Sequence, residues 1–189
     1  ELLASLVAAP SRQKALRETI ERIHTGADGA TKVVVFAPAG AGFEAARKAL
    51  ETLKLNGLKQ PVLIGDPNYA GTTDAIDAFA RLDIRDEKRP VVLLLSFEYS
   101  SALNLQHVAH DIIFYAPLWG EDPSGVHAAA NEQQAIGRVV RIGQLHDVVV
   151  HRLLAVGPAA KGAKAKDTIE RRVVDRNTSE RVTRQAVNT

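Results

Sequence analysis

The sequence predicts an α/β fold in which a mainly parallel sheet lies between two layers of helices. Runs of β-branched and aliphatic residues, typical of strands that are buried on both faces, recur along the chain. Segments with apolar residues at helical spacing separate these runs, and strands that alternate with helices form parallel sheets. We therefore expect ligands to bind at the carboxyl ends of the strands.

The predicted elements alternate along the whole chain. Residues 32–37 read Lys-Val-Val-Val-Phe-Ala, and residues 91–95 form an equally apolar run. The first helix carries Leu16, Ile20 and Ile23 at helical spacing. Predicted helices cover residues 11–24, 43–53, 73–82, 131–140 and 167–174. Predicted strands cover residues 32–37, 61–65, 91–95, 111–115 and 147–156.

Length and composition restrict the classes of function. The chain has 189 residues, 46% of them hydrophobic, which is enough for one domain with its own core. Because cysteine is absent, disulfides and thiolate metal sites are excluded. His107 and His110 come closest to a ligand pair, and we predict no metal site. No apolar run reaches the length of a membrane span, and a start at Glu1 predicts a fragment of a longer polypeptide.

The segment from Gln134 to Gln144 is the most informative part of the chain, with the pattern Q-x-x-G-R-x-x-R-I-G-Q. Arg138 and Arg141 are three residues apart and would share one face of the predicted helix. Arginines held in this way reach the terminal phosphate of a nucleotide bound by a neighbouring domain, as an arginine finger does. The alternative is a solvated amphipathic helix with two surface arginines.

Two other glycine-containing segments resemble phosphate-binding motifs; we reject the second, and a simple glycine-rich helix entry is the alternative for the first. Gly40, Gly42 and Ala45 fit G-x-G-x-x-A at a helix entry, and Asp66 follows at the spacing of a dinucleotide-binding fold. Residues 157–164 approach a phosphate loop, but alanine stands at 163 where lysine is required. The sequence contains no Walker A motif, so it has no phosphate-cradling lysine of its own.

The order of motifs resembles the second RecA-like lobe of Swi/Snf-type DNA translocases, a branch of the superfamily-two helicases. The segment from Gln134 to Gln144 resembles motif VI, and Asn131-Glu132-Gln133 leads into it. The other resembling segments are 32–37 (motif IV), 94–96 and 100–105 (motif V), 109–119, 148–153 and 168–173. The resemblance implies a RecA-like three-layer sandwich that lacks Walker A. It also implies a flank at 1–10, the lobe at 11–176 and a tail at 177–189.

In the family that the chain resembles, ATP lies between two lobes, and the first lobe binds most of the phosphates and Mg²⁺. The resemblance therefore implies an N-terminal helicase lobe in the same polypeptide. Arg141 is the expected finger, Arg138 stands beside it at the γ-phosphate, and Gln134 positions water or nucleotide. Asn104 and Gly137 are the expected nucleotide contacts. We expect the chain alone to have little or no ATPase activity.

The resemblance also implies binding to double-stranded DNA. Ser96, Ser100 and Ser101 are the expected contacts to backbone phosphates, so binding would be largely independent of sequence and sensitive to salt. Nucleosomes or other chromatin proteins are implied partners, and the nucleus is the implied location.

Two departures from the family pattern leave an alternative open. Residues 100–102 stand where the family has glycines, and residues 120–130 replace a short connection. These changes favour a degenerate, non-catalytic lobe that binds DNA or protein.

Overall fold

The computed structural model describes residues 7–26, 32–55, 62–65, 72–80, 90–100, 104–119, 126–155 and 168–177. The strands are β1 (Val33–Ala37), β2 (Val62–Gly65), β3 (Val92–Ser96), β4 (Asp111–Phe114) and β5 (Val149–Arg152). The helices are α1 (Pro10–His24), α2 (Ala41–Glu51), α3 (Thr72–Ala80), α4 (Val126–Ile136) and α5 (169–177). A 3-10 helix, Phe97–Ser100, directly follows β3.

The five strands form one parallel sheet in the order β2-β3-β1-β4-β5. All residues of β1 and β3 are buried, as their uniform apolar composition predicts for central strands covered on both faces. This arrangement confirms the predicted α/β class. The order differs from the 3-2-1-4-5-6 order of dinucleotide-binding sheets.

Helices cover both faces of the sheet. Because neighbouring residues of a strand point to opposite faces, Val33 and Val35 join a core with α1 and α2, whereas Val34 and Phe36 face α3 and α4. On the second face Phe36 stacks on Phe97 with ring centroids 5.7 Å apart. The result is the three-layer sandwich expected from the sequence.

A buried arginine joins the first and last helices at the carboxyl ends of β4 and β5. Arg12, on α1, donates to the carbonyl oxygens of Tyr115 at 2.9 Å and Leu153 at 2.7 Å. Its guanidinium also forms an ion pair with Glu170 on α5. Glu170 accepts a further hydrogen bond from the backbone N–H of Ala155 at 2.6 Å. These contacts therefore hold α1 and α5 together at the carboxyl ends of β4 and β5.

Tyr115 lies beside this cluster and is fully buried. Its hydroxyl donates to the carbonyl oxygen of Val7 at 2.9 Å. Burial raises the pKa of Tyr115 to about 12, although the nearby Arg12 guanidinium acts in the opposite direction. Val7 itself packs into the core, and the boundaries predicted at 10/11 and 176/177 stay predictions.

Across the described residues, no helix is both long enough and apolar enough to cross a bilayer.

Candidate nucleotide-binding site

The two arginines lie in a turn after α4, and the prediction of one helix over 131–140 is wrong. α4 begins at Val126 and ends at Ile136. Its start falls inside the 120–130 segment that replaces the family's short connection. Arg138 and Arg141 therefore follow the helix and do not share one of its faces.

Backbone hydrogen bonds explain why α4 ends there. The N–H of Arg138 bonds to the carbonyl of Ala135 at 3.2 Å, which is a tightened, three-residue spacing. The carbonyl of Arg138 accepts from the N–H of Leu105 at 2.9 Å, so it is diverted to another segment. Gly137, which has low helix propensity, stands at this point.

The arginine turn, which we define as residues 137–144, lies at the amino ends of β4 and β5. Besides the bond from Leu105, Gln144 donates through Nε2 to the carbonyl of Ala109 at 3.0 Å, two residues before β4 begins. The arginines therefore lie at the end of the strands opposite to the carboxyl ends, where ligand binding was expected, and that expectation stays a prediction. The reason is topological: a helix that connects two parallel strands runs back and ends beside the start of the second strand.

Arg141 and Asn104 meet at the surface. The Arg141 guanidinium donates to Oδ1 of Asn104, and both residues are exposed. Sequence reasoning assigned them separately to the nucleotide, and the fold brings them together across 37 residues of chain. A guanidinium has five N–H donors, so donors remain for an anion after the Asn104 contact.

Arg138 is half-buried beside this pair. Within the described part of the chain, its Nε is buried and has no hydrogen-bond acceptor. A buried donor without an acceptor is costly. A phosphate oxygen is a fitting acceptor, because guanidinium groups bind phosphate through charge-assisted hydrogen bonds. The arginine turn thus carries two cationic groups that suit a nucleotide phosphate.

Comparison with solved structures identifies the fold. The C-terminal part of the Fun30 ATPase domain matches with a TM-score of 0.60 and 22% identity, over 88% of this chain and 44% of that one. Domain 2 of the DEAD-box helicase Mss116p, bound to an RNA duplex, matches with a TM-score of 0.53 and 19% identity, over 78% of this chain and 50% of that one. The chain has the fold of a C-terminal RecA-like helicase lobe.

A SWI2/SNF2 ATPase core domain from Sulfolobus solfataricus has a TM-score of 0.47 and 24% identity, over 74% of this chain and 25% of that one. No protein-family model matches the sequence. No curated protein matches it either. This chain spans about half or less of the length of the chains in these solved structures.

Gly143 and Gln144 close the arginine turn of the lobe. Gly143 has a φ of 97°, and a Cβ atom built there would lie 2.5 Å from Cε1 of His107. Glycine is therefore required both for the backbone angle and for the close ring. Gln144 also receives the backbone N–H of His146 on its Oε1 at 3.0 Å. Gln144 is the last residue of the motif in the sequence. That its side chain holds the turn through hydrogen bonds to Ala109 and His146 was not predicted.

Gln134 and Gly137 take different places from those expected of nucleotide contacts. Gln134 is exposed on the last turn of α4. The N–H of Gly137 donates to the carbonyl of Gln133 at 2.9 Å, so this backbone donor is occupied by the helix end. Their assignments to the nucleotide remain predictions.

Histidines surround the arginine turn without forming a metal centre. The rings of His110 and His146 lie 5.0 Å apart. His151 Nε2 lies 2.8 Å from Oδ1 of Asp111. Among the residues that the structure describes, no group of three or more histidine or acidic side chains is arranged to hold a metal ion.

Of the predicted DNA contacts, Ser96 lies at the carboxyl end of β3, whereas the arginine turn lies at the amino ends of β4 and β5. Ser96 ends β3, where it pairs with Ala37, but it is 4% exposed and therefore not available at the surface. Ser100 lies in the 3-10 helix, and Ser101 lies outside the described residues. The DNA-binding assignments of Ser100 and Ser101 stay predictions.

The dinucleotide-type segment forms an ordinary helix entry in this lobe. Gly40 has a φ of 68°, but nothing lies within 4 Å of a Cβ built on it, so no close approach of the chain requires glycine. Gly42 packs near Pro38 and Val7, and Asp66 lies outside the described residues.

Proposed function

We propose that the chain is the second motor lobe of a Swi/Snf-type, ATP-dependent translocase on double-stranded DNA. The observation that carries the proposal is the contact of Arg141, in the arginine turn of a helicase-lobe fold, with Asn104, together with the place of Arg138 in the same turn. Arginines from one lobe and phosphates on another form the arrangement that this chemistry requires.

The chemistry assigns distinct tasks to the residues of the turn. Arg141, exposed and oriented by its contact with Asn104, stabilises charge on the transferring phosphoryl group. Arg138, half-buried in the same turn, brings a second guanidinium to the phosphate site. Asn104 holds the Arg141 guanidinium in place before the two lobes close. Pre-oriented donors are effective because they need no rearrangement during the reaction.

Mg²⁺ and most of the phosphate contacts belong to the first lobe in this proposal. Mg²⁺ bound with ATP neutralises charge on the phosphate oxygens. The sequence has no Walker A lysine, and the described residues contain no cluster of carboxylates suited to a metal ion. This lobe therefore supplies the cationic half of the site.

The surface around Arg141 supports a partner lobe. Ile142 is 100% exposed and Leu145 is 88% exposed. Large apolar side chains beside a functional arginine are typical of a surface that another protein surface covers. Closure of the two lobes would bury these side chains and exclude water from the phosphates.

DNA is the proposed track, with Ser100 and Ser101 as contacts to backbone phosphates. Such contacts carry no sequence information, so affinity should fall steeply with salt and depend little on base sequence. Chromatin remodelling, with nucleosomes as partners and the nucleus as location, is the family-based extension of this proposal. The solved Mss116p domain was bound to an RNA duplex, so duplex RNA is the necessary comparison substrate.

The test is ATP hydrolysis by a polypeptide that carries this lobe together with a first lobe, with and without duplex DNA or duplex RNA. We expect stimulation by DNA, and a loss of about a thousandfold or more in kcat for Arg141→Ala. The matched control is Arg47→Ala, which removes an arginine from surface ion pairs with Glu44 and Glu51 on α2. It should leave kcat unchanged.

A non-catalytic lobe is the second candidate, and the burial of Ser96 together with the changed residues 100–102 favours it, because both depart from the motif V pattern expected of a motor. Salt-sensitive DNA binding without hydrolysis by the two-lobe polypeptide would select this candidate. Stimulation by RNA alone would reject the DNA assignment.

A further inference from the structure

A buried carboxylate lies on the helix that leads into the arginine turn. Glu132 is 3% exposed and precedes Arg138 by six residues. It shares the inward face of α4 with Ala128, Ala135 and Ile136, which are all buried. An ionised carboxylate in such a place is costly unless it is paired and hydrogen-bonded. Its presence among apolar neighbours therefore calls for partners.

Glu132 has partners on three other parts of the lobe. Oε2 accepts from Nη1 of Arg152, on β5, at 2.7 Å. Oε1 accepts from the backbone N–H of Leu118 at 3.4 Å and from Nδ2 of Asn177, on α5, at 3.3 Å. Arg152 is itself held over the Phe114 ring at 4.7 Å. The carboxylate thus joins α4 to β5 and to α5.

We infer that Glu132 is a positioning residue for the arginine turn. The inference rests on the proposed function, because it assigns the turn to catalysis. Ile136, the last residue of α4, lies only about 6 Å farther along the helix axis at a rise of 1.5 Å per residue. A rotation or shift of α4 at Glu132 is therefore transmitted directly to Arg138 and Arg141.

Among the described residues, the arginine turn itself is held by few hydrogen bonds, so its position depends on α4. Arg138 is tied to Leu105 by one backbone hydrogen bond, and Gln144 closes the far end. The near end continues from α4, the turn residue Val139 is buried in the core, and Glu132 joins α4 to β5 through its ion pair with Arg152. Because a misplacement of about 1 Å at a reacting centre costs about a hundredfold in rate, loss of this contact should lower kcat more than binding.

Glu132→Gln tests the inference, with Glu170→Gln as the matched control. Glu170 is also a buried carboxylate, 1% exposed, with an arginine and a backbone N–H as partners, but it lies on α5. Thermal melts first fix a temperature at which both variants are folded. In the two-lobe polypeptide, Glu132→Gln should lower kcat per folded molecule by ten- to a hundredfold with KM for ATP changed less than threefold, as expected when transition-state contacts are lost. Glu170→Gln should stay within about twofold of the parent, since it leaves the turn in place.

A second readout does not depend on ATP hydrolysis. In the 189-residue chain, the side-chain Nε–H resonances of Arg138 and Arg141 report the turn directly by NMR. Glu132→Gln should shift both, and Glu170→Gln should shift neither. If the parent polypeptide shows no DNA-stimulated hydrolysis, the proposed function fails while the resonances still decide the positioning role. If the two variants give equal kcat or the resonances do not move, the positioning role is rejected.

Discussion

Removal of the Arg12 side chain is the most direct test of how the lobe is fastened. Arg12 is 6% exposed and serves three acceptors: the carbonyls of Tyr115 and Leu153 and the carboxylate of Glu170. The Glu170 side chain is only 2% exposed. Arg12→Ala therefore leaves a buried carboxylate without its cation and two strand-end carbonyls without their donor.

The magnitude follows from these contacts. Breaking one partner out of a buried ion pair costs about 3–5 kcal/mol, and unsatisfied carbonyls at a partly accessible edge add about 1 kcal/mol. We expect a loss of about 5 kcal/mol in the free energy of unfolding, which is a large part of the 5–15 kcal/mol typical of a domain. At an m-value of about 2 kcal/mol/M in urea, the midpoint would fall by about 2.5 M.

The assay is equilibrium unfolding in urea, followed by circular dichroism. Lys14→Ala is the matched control, because Lys14 lies on the same helix in an exposed pair with Glu18, 3.5 Å apart. That pair should contribute less than about 0.5 kcal/mol. A loss below about 1 kcal/mol for Arg12→Ala would refute the reasoning.

A double substitution separates charge from packing. Arg12→Met combined with Glu170→Met removes both buried charges, and well-packed apolar replacements of buried pairs are often near neutral. Here the carbonyls of Tyr115 and Leu153 still lose their donor, so we expect a cost of about 2 kcal/mol. A double variant less stable than Arg12→Met alone would contradict the charge argument.

Two further predictions concern the arginine turn and alkaline stability. Gly143→Ala should lower the free energy of unfolding by about 2 kcal/mol, because it adds a clash with His107 to a strained φ. The control is Gly40→Ala, where φ is also positive but the space around a Cβ is open, and it should cost about 1 kcal/mol. Both losses are measured by unfolding in urea. A larger loss for Gly40→Ala would refute the steric part. Because the pKa of Tyr115 is raised to about 12 from 10.0, its stabilising effect is complete below pH 10 and lost as the pH rises toward 12. Melts of Tyr115→Phe against the parent from pH 9 to 12 should converge, and a constant difference would rule this out.

The sequence analysis did not predict that Arg12 and Glu132 are buried, although each lies at helical spacing with apolar residues. Arg12 has the spacing of Leu16 and Ile20, and Glu132 has the spacing of Ala128, Ala135 and Ile136. A charged residue on an apolar face is a sequence signal that a buried partner exists. Glu170 is 158 residues from Arg12, and Arg152 is 20 residues from Glu132. Sequence patterns along one element cannot supply such pairs.

The end of α4 could not be located from sequence for a related reason. Residues 131–140 keep a helical pattern, and Val139 is buried like Ala135 and Ile136. The carbonyl of Arg138 instead accepts a hydrogen bond from the N–H of Leu105, which comes from another segment, so it is not available to continue the helix. A long-range competitor for a backbone carbonyl leaves no trace in local periodicity.

The sequence by itself determined the alternation of strands and helices, the uniformly buried strands and the motif order that resembles a second helicase lobe. These features follow from local properties, namely side-chain polarity and spacing. Only the tertiary structure decided the strand order and the contact of Arg141 with Asn104. It placed Arg138 and Arg141 at the amino ends of the strands. It also decided that Ser96 is buried. These facts depend on how distant segments pack, because each connection between parallel strands carries the chain from the carboxyl end of one strand back to the amino end of the next.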